Sequence, residues 1–142
     1  MGAERAALVA IAERWISEGW QRGDAEATLR LYAPDFVDRG HPSGRLGTGA
    51  ENVAGSRALR AAFPDFAATI AERIVDVTAG AVALRWTVTG TQREPCCGGA
   101  ATGRRIAFAE IETPQIRDGL IVARAGEWDA YSLLRQLGAL PD

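Results

Sequence analysis

The segment Gly126–Gly138, GEWDAYSLLRQLG, places one carboxylate, Asp129, between a tryptophan and an apolar helical stretch. An aspartate in this position is a favoured N-cap, where the helix dipole stabilises the charged form and lowers the pKa. A carboxylate that removes a proton from carbon near neutral pH needs a raised pKa instead, which apolar walls such as Trp128, Trp86 and Phe63 could supply by desolvation. The spacing alone favours the cap, and the two roles are not exclusive.

Few other residue types in this chain could carry catalysis. Lysine is absent, which excludes a Schiff base with a carbonyl substrate, and the one histidine is His41. His41 lies in a Gly-His-Pro turn, where it could bond a substrate carbonyl or a developing oxyanion, or face solvent. Glu110 and Glu112 share side-chain parity on a predicted strand, so both face inward as acids or both face solvent, as is commoner on sheet surfaces.

The only cysteines, Cys96 and Cys97, are adjacent in a Gly-rich loop. They lack the spacing of a zinc site or of a CxxC redox motif, and we interpret them as incidental thiols of a flexible loop. We therefore expect no metal. Any catalyst would be built from Asp, Glu, Tyr, Arg or His41.

Length and charge limit the class of partner. A chain of 142 residues fits one domain, 1–142, with a core and one pocket. Sixteen basic and eighteen acidic residues give a net charge of -2, which favours neither nucleic acid nor an anionic membrane surface. No apolar run approaches the roughly 18 residues of a membrane span, and acids interrupt the apolar pattern at the N-terminus. We predict a cytoplasmic protein that binds a small molecule or another protein.

Helical periodicity dominates the first half of the chain. Apolar residues recur at helical spacing from Leu8 onward, which predicts an amphipathic first helix. Asp24 is a natural N-cap for a second helix that Pro34 ends. Thr48-Gly49-Ala50-Glu51 has the form of a capping box, which predicts a third helix running to about Ala62.

Extended periodicity replaces it in the second half. Turn signals such as Ala79-Gly80 and Arg117-Asp118-Gly119 separate segments rich in Val, Ile, Thr and aromatic residues. The predicted strands, 67–77, 81–91, 104–113 and 120–127, form an antiparallel meander. Helices followed by such a sheet predict an α+β domain with N-terminal helices packed on one face of the sheet. If the sheet curves around the helices it makes a cone, whose mouth the terminal segment with Asp129 would close.

Five segments carry a resemblance to a known family. They are FPDF at 63–66, VALRWTVTGT at 82–91, TGRRIAF at 102–108, IRDGLIV at 116–122 and WDAYSLLRQLG at 128–138. In this order and spacing the whole chain resembles the SnoaL-like polyketide cyclase family, which belongs to the NTF2-like superfamily of cone-shaped domains. That superfamily also holds isomerases, epoxide hydrolases, dehydratases and non-catalytic binding modules, so the fold alone does not assign a function.

The resemblance implies a reaction and a catalyst. Similar family members close a ring of a bulky aromatic polyketide ester by intramolecular aldol condensation, using an aspartate as general acid and base without metal or cofactor. Aligned on LRQLG, that aspartate corresponds to Asp129. The chain departs from many relatives at Arg124-Ala125, where they have His-Trp, and at Ala100-Ala101, where they have two prolines. We expect these changes to alter the pocket lining and the rim loop.

Asp129 and His41 are therefore the predicted catalytic residues, acting on a small hydrophobic carbonyl substrate. The predicted substrate-binding residues are Trp15, Phe36, Phe63, Phe66, Trp86, Glu110, Glu112 and Trp128. Simple core packing is the alternative for the aromatic ones. The alternative functions are a non-catalytic ligand-binding or dimerising module, and an isomerase, hydrolase or dehydratase in the same pocket. An open sheet with Thr and Arg on its outer face predicts a homodimer or higher homo-oligomer.

Overall fold

In the computed structural model, which describes residues 1–141, four helices accompany one curved, open, mixed sheet of seven strands. The helices are α1 (Gly2–Arg14), α2 (Ala25–Leu31), α3 (Gly49–Ala62) and α4 (Ala130–Gln136). The strands are β1 (Tyr32–Asp38), β2 (Ala67–Asp76), β3 (Ala81–Thr91), β4 (Arg105–Glu112), β5 (Gln115–Arg117), β6 (Leu120–Arg124) and β7 (Gly126–Trp128). The predicted α+β class is confirmed.

The first helix changes its winding before it ends. After α1 the chain continues as a π-helical segment, Trp15–Gln21, which includes Trp20 on its last turn. Gly19 in this segment lies against α2, and a Cβ there would come 3.0 Å from the Thr28 hydroxyl. π-Helical turns are rare and frequently occur at functional sites, and Trp20 does line the cavity described below.

Local capping signals define α2 and α3 as the sequence predicts. The Asp24 carboxylate accepts a hydrogen bond from the backbone N–H of Ala27 at 2.9 Å. Thr48 and Glu51 form the predicted capping box, with bonds of 3.2 and 2.8 Å. The predicted end of α2 is wrong, however: the helix stops at Leu31, and Pro34 lies inside β1. Proline is tolerated there because β1 is an edge strand with a register shift across that stretch.

The sheet is centred on β3, which pairs with β2, β4 and β5. Alternate residues of β3 are buried, and Trp86 lies directly opposite Glu110 of β4. The prediction of a simple antiparallel meander is incomplete in two respects. β1 joins the sheet parallel to β6. The predicted last strand is also two strands, since β6 pairs with β1 and β5 whereas β7 pairs with β4, so the chain crosses between the two ends of the sheet at Ala125.

The core lies between the helices and the inner sheet face. Its largest fully buried side chains include Trp15, Phe63, Leu84, Trp86 and Ile121. Within residues 1–141, no helix is both long enough and apolar enough to span a membrane.

Alanine substitutions at two glycines with left-handed backbone, Gly80 and Gly119, test the geometry of the turns. Gly80 has φ +64°, and a Cβ there would overlap the carbonyl oxygen of Ile116, whereas Gly119 has φ +77° and open space around it. G119A should therefore cost only the left-handed penalty, about 1–2 kcal/mol. We expect G80A to lower the free energy of unfolding clearly further, because a backbone carbonyl cannot move away cheaply. Urea denaturation measures both, and equal losses would contradict this account of the turn.

Candidate active site

A cavity of about 800 Å³ opens beside the inner face of the sheet, a size within the usual range for small-molecule sites. One face of α3, the inner residues of β4, the ends of β1 and β6, strand β7 and the loop after β3 all contribute to its wall. Its main polar lining residues are Asp38, Arg39, His41, Glu51, Asn52, Glu110, Glu112, Arg124 and Glu127. Its apolar side chains include Trp20, Leu59, Phe108 and Trp128.

A buried three-residue ion cluster forms part of this wall. Arg124, at the end of β6, donates from Nη1 to Asp38 Oδ1 at 2.8 Å and from Nη2 to Glu112 Oε2 at 2.6 Å. Its Nε donates to Glu112 Oε2 at 3.0 Å, so every guanidinium nitrogen is engaged. All three side chains are buried. The cluster joins β1, β4 and β6, which carry these residues at positions distant in sequence.

A hydrogen-bond chain extends the cluster into the helices. Asn52 of α3 donates from Nδ2 to Asp38 Oδ2 at 3.0 Å, and its Oδ1 accepts from the Tyr32 hydroxyl at 2.6 Å. The Tyr32 hydroxyl in turn accepts from Trp15 Nε1 at 2.7 Å. Burial raises the pKa of Tyr32, so its hydroxyl stays protonated and can donate to Asn52. The position of Asp38 is therefore fixed from two sides.

Two glycines leave room for the arginine. A Cβ at Gly126 would overlap both Arg124 and Glu112, and a Cβ at Gly40 would lie 2.8 Å from Arg124 Nη1. The backbone N–H of Gly40 also donates to Asp38 Oδ1 at 2.8 Å. The cluster therefore depends on the absence of side chains at these two positions.

Glu110 is the one buried acid of the cavity that stands outside the ion cluster. Its side chain is 6% exposed, and among the described residues its Oε2 has no hydrogen-bond partner. Burial, reinforced by the charge of Glu112, raises the pKa of Glu110 from 4.5 to about 8. Directly opposite on β3, the buried indole N–H of Trp86 also lacks a partner within residues 1–141.

Glu112 has a different electrostatic environment. Burial raises the pKa of Glu112 to about 7, although its contacts with Arg124 act to lower it. The carboxylates beside Arg124 raise the pKa of the guanidinium, against the effect of burial, so Arg124 remains charged. The inward-facing alternative for Glu110 and Glu112 is thus the one that the structure adopts.

The rim of the cavity holds His41 and Trp128. His41 Nδ1 lies 2.8 Å from the Ser43 hydroxyl, and its Nε2 lies 4.0 Å from Glu51 Oε2. Trp128 is 45% exposed, with its ring centroid 5.8 Å from that of Phe108. Both residues line the cavity, as Glu110 and Glu112 do, and the roles of all four stay predictions.

Asp129 lies outside this arrangement. Its side chain is exposed and accepts a hydrogen bond from the backbone N–H of Ser132 at 2.9 Å, as an N-cap of α4 does. The described residues that line the cavity do not include it. The capping role is therefore present, and the position does not favour the catalytic role, which stays a prediction.

The other predicted binding residues are mostly core. Phe66 and Trp86 surround Trp20, with ring centroids 6.4 and 5.5 Å from it. Phe36 stacks on Tyr32 at 3.9 Å, and Trp15 and Phe63 are fully buried. The described cavity wall contains none of the five predicted aromatic residues Trp15, Phe36, Phe63, Phe66 and Trp86. Trp15, Phe66 and Trp86 pack around Trp20, and Phe36 packs on Tyr32, so these four lie behind the cavity wall.

Several residues of the cavity wall are not predicted from the sequence. Asp38, Asn52 and Trp20 line the cavity, yet each sits in a segment whose pattern indicates only a strand end or a helix face. Arg124 is noticeable only as a charge at the end of an apolar strand where relatives have histidine. Cys96 and Cys97 also line the cavity, a position that the interpretation of them as incidental thiols does not predict.

The ion cluster should contribute to the free energy of unfolding, which a substitution of Arg124 tests. R124Q leaves two carboxylates buried without their cation, which typically costs about 3–5 kcal/mol. R39Q is the matched control, because Arg39 is exposed and, within residues 1–141, its side chain bonds only to Gln115, at 3.1 Å. Such surface changes are usually within about 0.5 kcal/mol. Chemical denaturation at neutral pH compares the two. If R124Q is as stable as R39Q, Arg124 does not hold the wall together.

Comparison with known structures agrees with this fold. AclR from Streptomyces galilaeus, provisionally described as a hydroxylase, is 26% identical, with a TM-score of 0.85 over 96% of this chain and 99% of that chain. TsrD from Streptomyces laurentii is 27% identical, with a TM-score of 0.83 over 96% and 98%. A provisionally described polyketide cyclase from Acidithiobacillus ferrooxidans is 26% identical, with a TM-score of 0.80 over 95% and 96%.

Sequence comparison assigns the family. No protein of curated function matches the chain significantly. The family model for the SnoaL-like polyketide cyclases matches residues 10–137, which is most of the chain. The protein therefore belongs to the SnoaL-like polyketide cyclase family.

Proposed function

We propose that this protein is a cyclase that closes a ring in a bulky, largely apolar carbonyl compound by intramolecular aldol addition, with Glu110 as the general base and acid. The observation that carries the proposal is a buried carboxyl, outside the ion cluster, on the wall of a cavity of about 800 Å³. Family membership supports the cyclase class. The choice of Glu110 rests on geometry and charge alone.

The reaction that we propose is an isomerisation. The Glu110 carboxylate takes a proton from a carbon flanked by an ester and a ketone carbonyl, where the resulting enolate is delocalised enough for a carboxylate to suffice. The enolate carbon attacks a second ketone of the same molecule, forming one carbon–carbon bond and an alkoxide. Glu110 returns its proton to that alkoxide, so the enzyme ends as it began.

The surroundings of Glu110 suit this role. A base works best when its pKa lies near the working pH, and the pKa of about 8 meets that condition. Arg124 does not form an ion pair with Glu110, because Asp38 and Glu112 already engage its nitrogens. A folded substrate held between Trp20, Phe108 and the polar wall would also have its reacting carbons close together, which contributes much of the barrier reduction in such reactions.

His41 keeps its predicted role within this proposal. Its ring lies on the cavity wall with Nε2 4.0 Å from Glu51, and it can offer an N–H to a substrate carbonyl at the rim. Trp128 on the same rim covers an apolar part of the substrate. Neither residue is required to move a proton to or from carbon.

The expected homodimer also remains a proposal. The outer sheet face exposes Ile74 of β2 and Ile111 of β4, in addition to the Thr and Arg residues noted in the sequence. A second copy covering these two isoleucines would bury them without blocking the cavity, which opens on the inner face.

The E110Q variant tests the proposed base. Offered neutral aromatic β-keto esters that carry a second ketone, the wild type should give a product of unchanged mass with a new carbon–carbon bond, detected by chromatography and ¹³C NMR. E110Q should lose about two orders of magnitude or more in kcat/KM, since general base catalysis typically contributes 10²–10⁴-fold. Because the deprotonated form acts first, wild-type kcat/KM should rise with pH through about 8.

D129N is the matched variant that separates the two carboxylates. Asn still caps α4, so we expect folding and kcat/KM close to wild type. If D129N abolishes turnover while E110Q retains it, the aspartate inferred from the family resemblance is the catalyst and the present proposal fails. If both variants cyclise normally, neither carboxylate is the base.

A further inference from the structure

The loop between β3 and β4, residues 92–104, is firmly held at its base. The buried Gln92 side chain accepts hydrogen bonds at Oε1 from the Thr102 backbone N–H at 3.0 Å and from the Thr102 hydroxyl at 2.7 Å. The Gln92 backbone also pairs with Arg104 and Gly103, at 2.9 and 3.0 Å. The loop therefore enters and leaves the sheet at a fixed point, and Pro95, Cys96 and Cys97 near its tip line the cavity.

The tip is a tight turn with the two cysteines at its start. The backbone N–H groups of Cys96 and Gly99 each donate to the other residue's carbonyl at 3.0 Å. Between them, Cys97 has φ +57° and Gly98 has φ +81°, as in a type I′ turn. Glycine adopts this conformation freely, but cysteine has a Cβ and adopts it rarely. Such outliers concentrate at functional sites.

The turn brings the two thiols together on the cavity wall. The Cys96 and Cys97 Sγ atoms are 2.7 Å apart. Both residues line the cavity together with Leu59 of α3, and Cys96 is partly buried against the core whereas Cys97 is exposed. One sulfur is thus accessible to a reagent and the other lies directly behind it.

We propose that Cys96 and Cys97 form a reversible vicinal disulfide at the mouth of the cavity, which makes this loop a redox-responsive part of the ligand site. The proposal depends on the cavity and the loop, and not on the reaction assigned to Glu110. It replaces the interpretation of the two cysteines as incidental thiols.

The chemistry is thiol–disulfide exchange with a low-molecular-weight disulfide as the oxidant. The exposed Cys97 thiolate attacks the reagent, forms a mixed disulfide and expels one thiolate. Cys96, losing its proton, then attacks the Cys97 sulfur and expels the second thiolate, which leaves two reduced small thiols and one protein disulfide. Burial raises the pKa of the Cys96 thiol to about 12, which supports Cys97 as the first nucleophile.

The disulfide would change what a ligand meets at the cavity mouth. It replaces two weak S–H donors by one S–S bond, which closes a ring through the peptide bond between the two cysteines and removes the freedom of both side chains. Because the base of the loop is fixed by Gln92, this change is confined to the tip, beside Leu59. We therefore expect oxidation to alter ligand affinity without altering the fold.

The experiment compares the whole chain in reduced and oxidised glutathione. Oxidation should lower the intact mass by about 2 Da through a bond within one chain, reversed by a reductant, and peptide mapping should locate it at residues 96 and 97. The affinity for Nile red, a neutral apolar dye, should differ between the two forms by about threefold or more. In C97S, which lacks the exposed nucleophile, oxidised glutathione should cause neither the mass loss nor the change in affinity. In C96S, which lacks the resolving thiol, the mixed disulfide at Cys97 should accumulate, so the mass rises by one glutathionyl group and the loss of about 2 Da is absent.

Two results would overturn the proposal. Thiols that stay reduced, or that stop at mixed or intermolecular disulfides, exclude the vicinal bond. If the bond forms but both forms have the same affinity for Nile red, including none, the loop is not a redox-responsive part of the ligand site. The mass change and the dye affinity do not depend on turnover. Their outcome is therefore independent of whether the proposed cyclisation is correct.

Discussion

The cavity depends on one buried arginine shared by two carboxylates. Arg124 at the end of β6 is bonded to Glu112 of β4, 12 residues earlier, and to Asp38 of β1, 86 residues earlier, so it holds β1 to the later part of the sheet. Burying such charges is costly, and it succeeds here because every guanidinium nitrogen has a partner and glycines at 40 and 126 leave the space. The link through Asn52 and Tyr32 to Trp15 fixes the helical layer to the same point.

The reactivity of Glu110 follows from that arrangement. One cation lies among three buried acids, Asp38, Glu110 and Glu112, and it is fully engaged by two of them. The third retains a carboxyl oxygen without a partner and feels the charge of Glu112, which favours its protonated form. A group with these properties is costly for stability and is typical of functional sites, where perturbed carboxyls act as acids or bases. The arrangement of one arginine among three buried acids therefore both holds the cavity wall together and raises the pKa of the proposed base.

The sequence predicts the local features well and the long-range ones poorly. Helix starts at Asp24 and Thr48 follow from side chains that bond their own backbone a few residues away, and both are present. The parallel pairing of β1 with β6, and the contact of Asp38 with Arg124 across 86 residues, leave no periodic signal. Parity shows that Glu110 and Glu112 face the same way, but only the closed fold decides which way. Asp129 carries a clear cap signal, and its carboxylate caps α4 in the structure.

The most direct test of the central claim is the titration of the glutamate side-chain carboxyls by ¹³C NMR. The account predicts two glutamates that titrate well above the exposed carboxyls, Glu112 near pH 7 and Glu110 near pH 8, and the one near pH 8 should disappear from the spectrum of E110Q. In folded R124Q the pKa of Glu110 should rise further, because the charge of Arg124 lowers it in the wild type. If every glutamate titrates near its ordinary value of about 4.3, the buried reactive carboxyl does not exist and the account is contradicted.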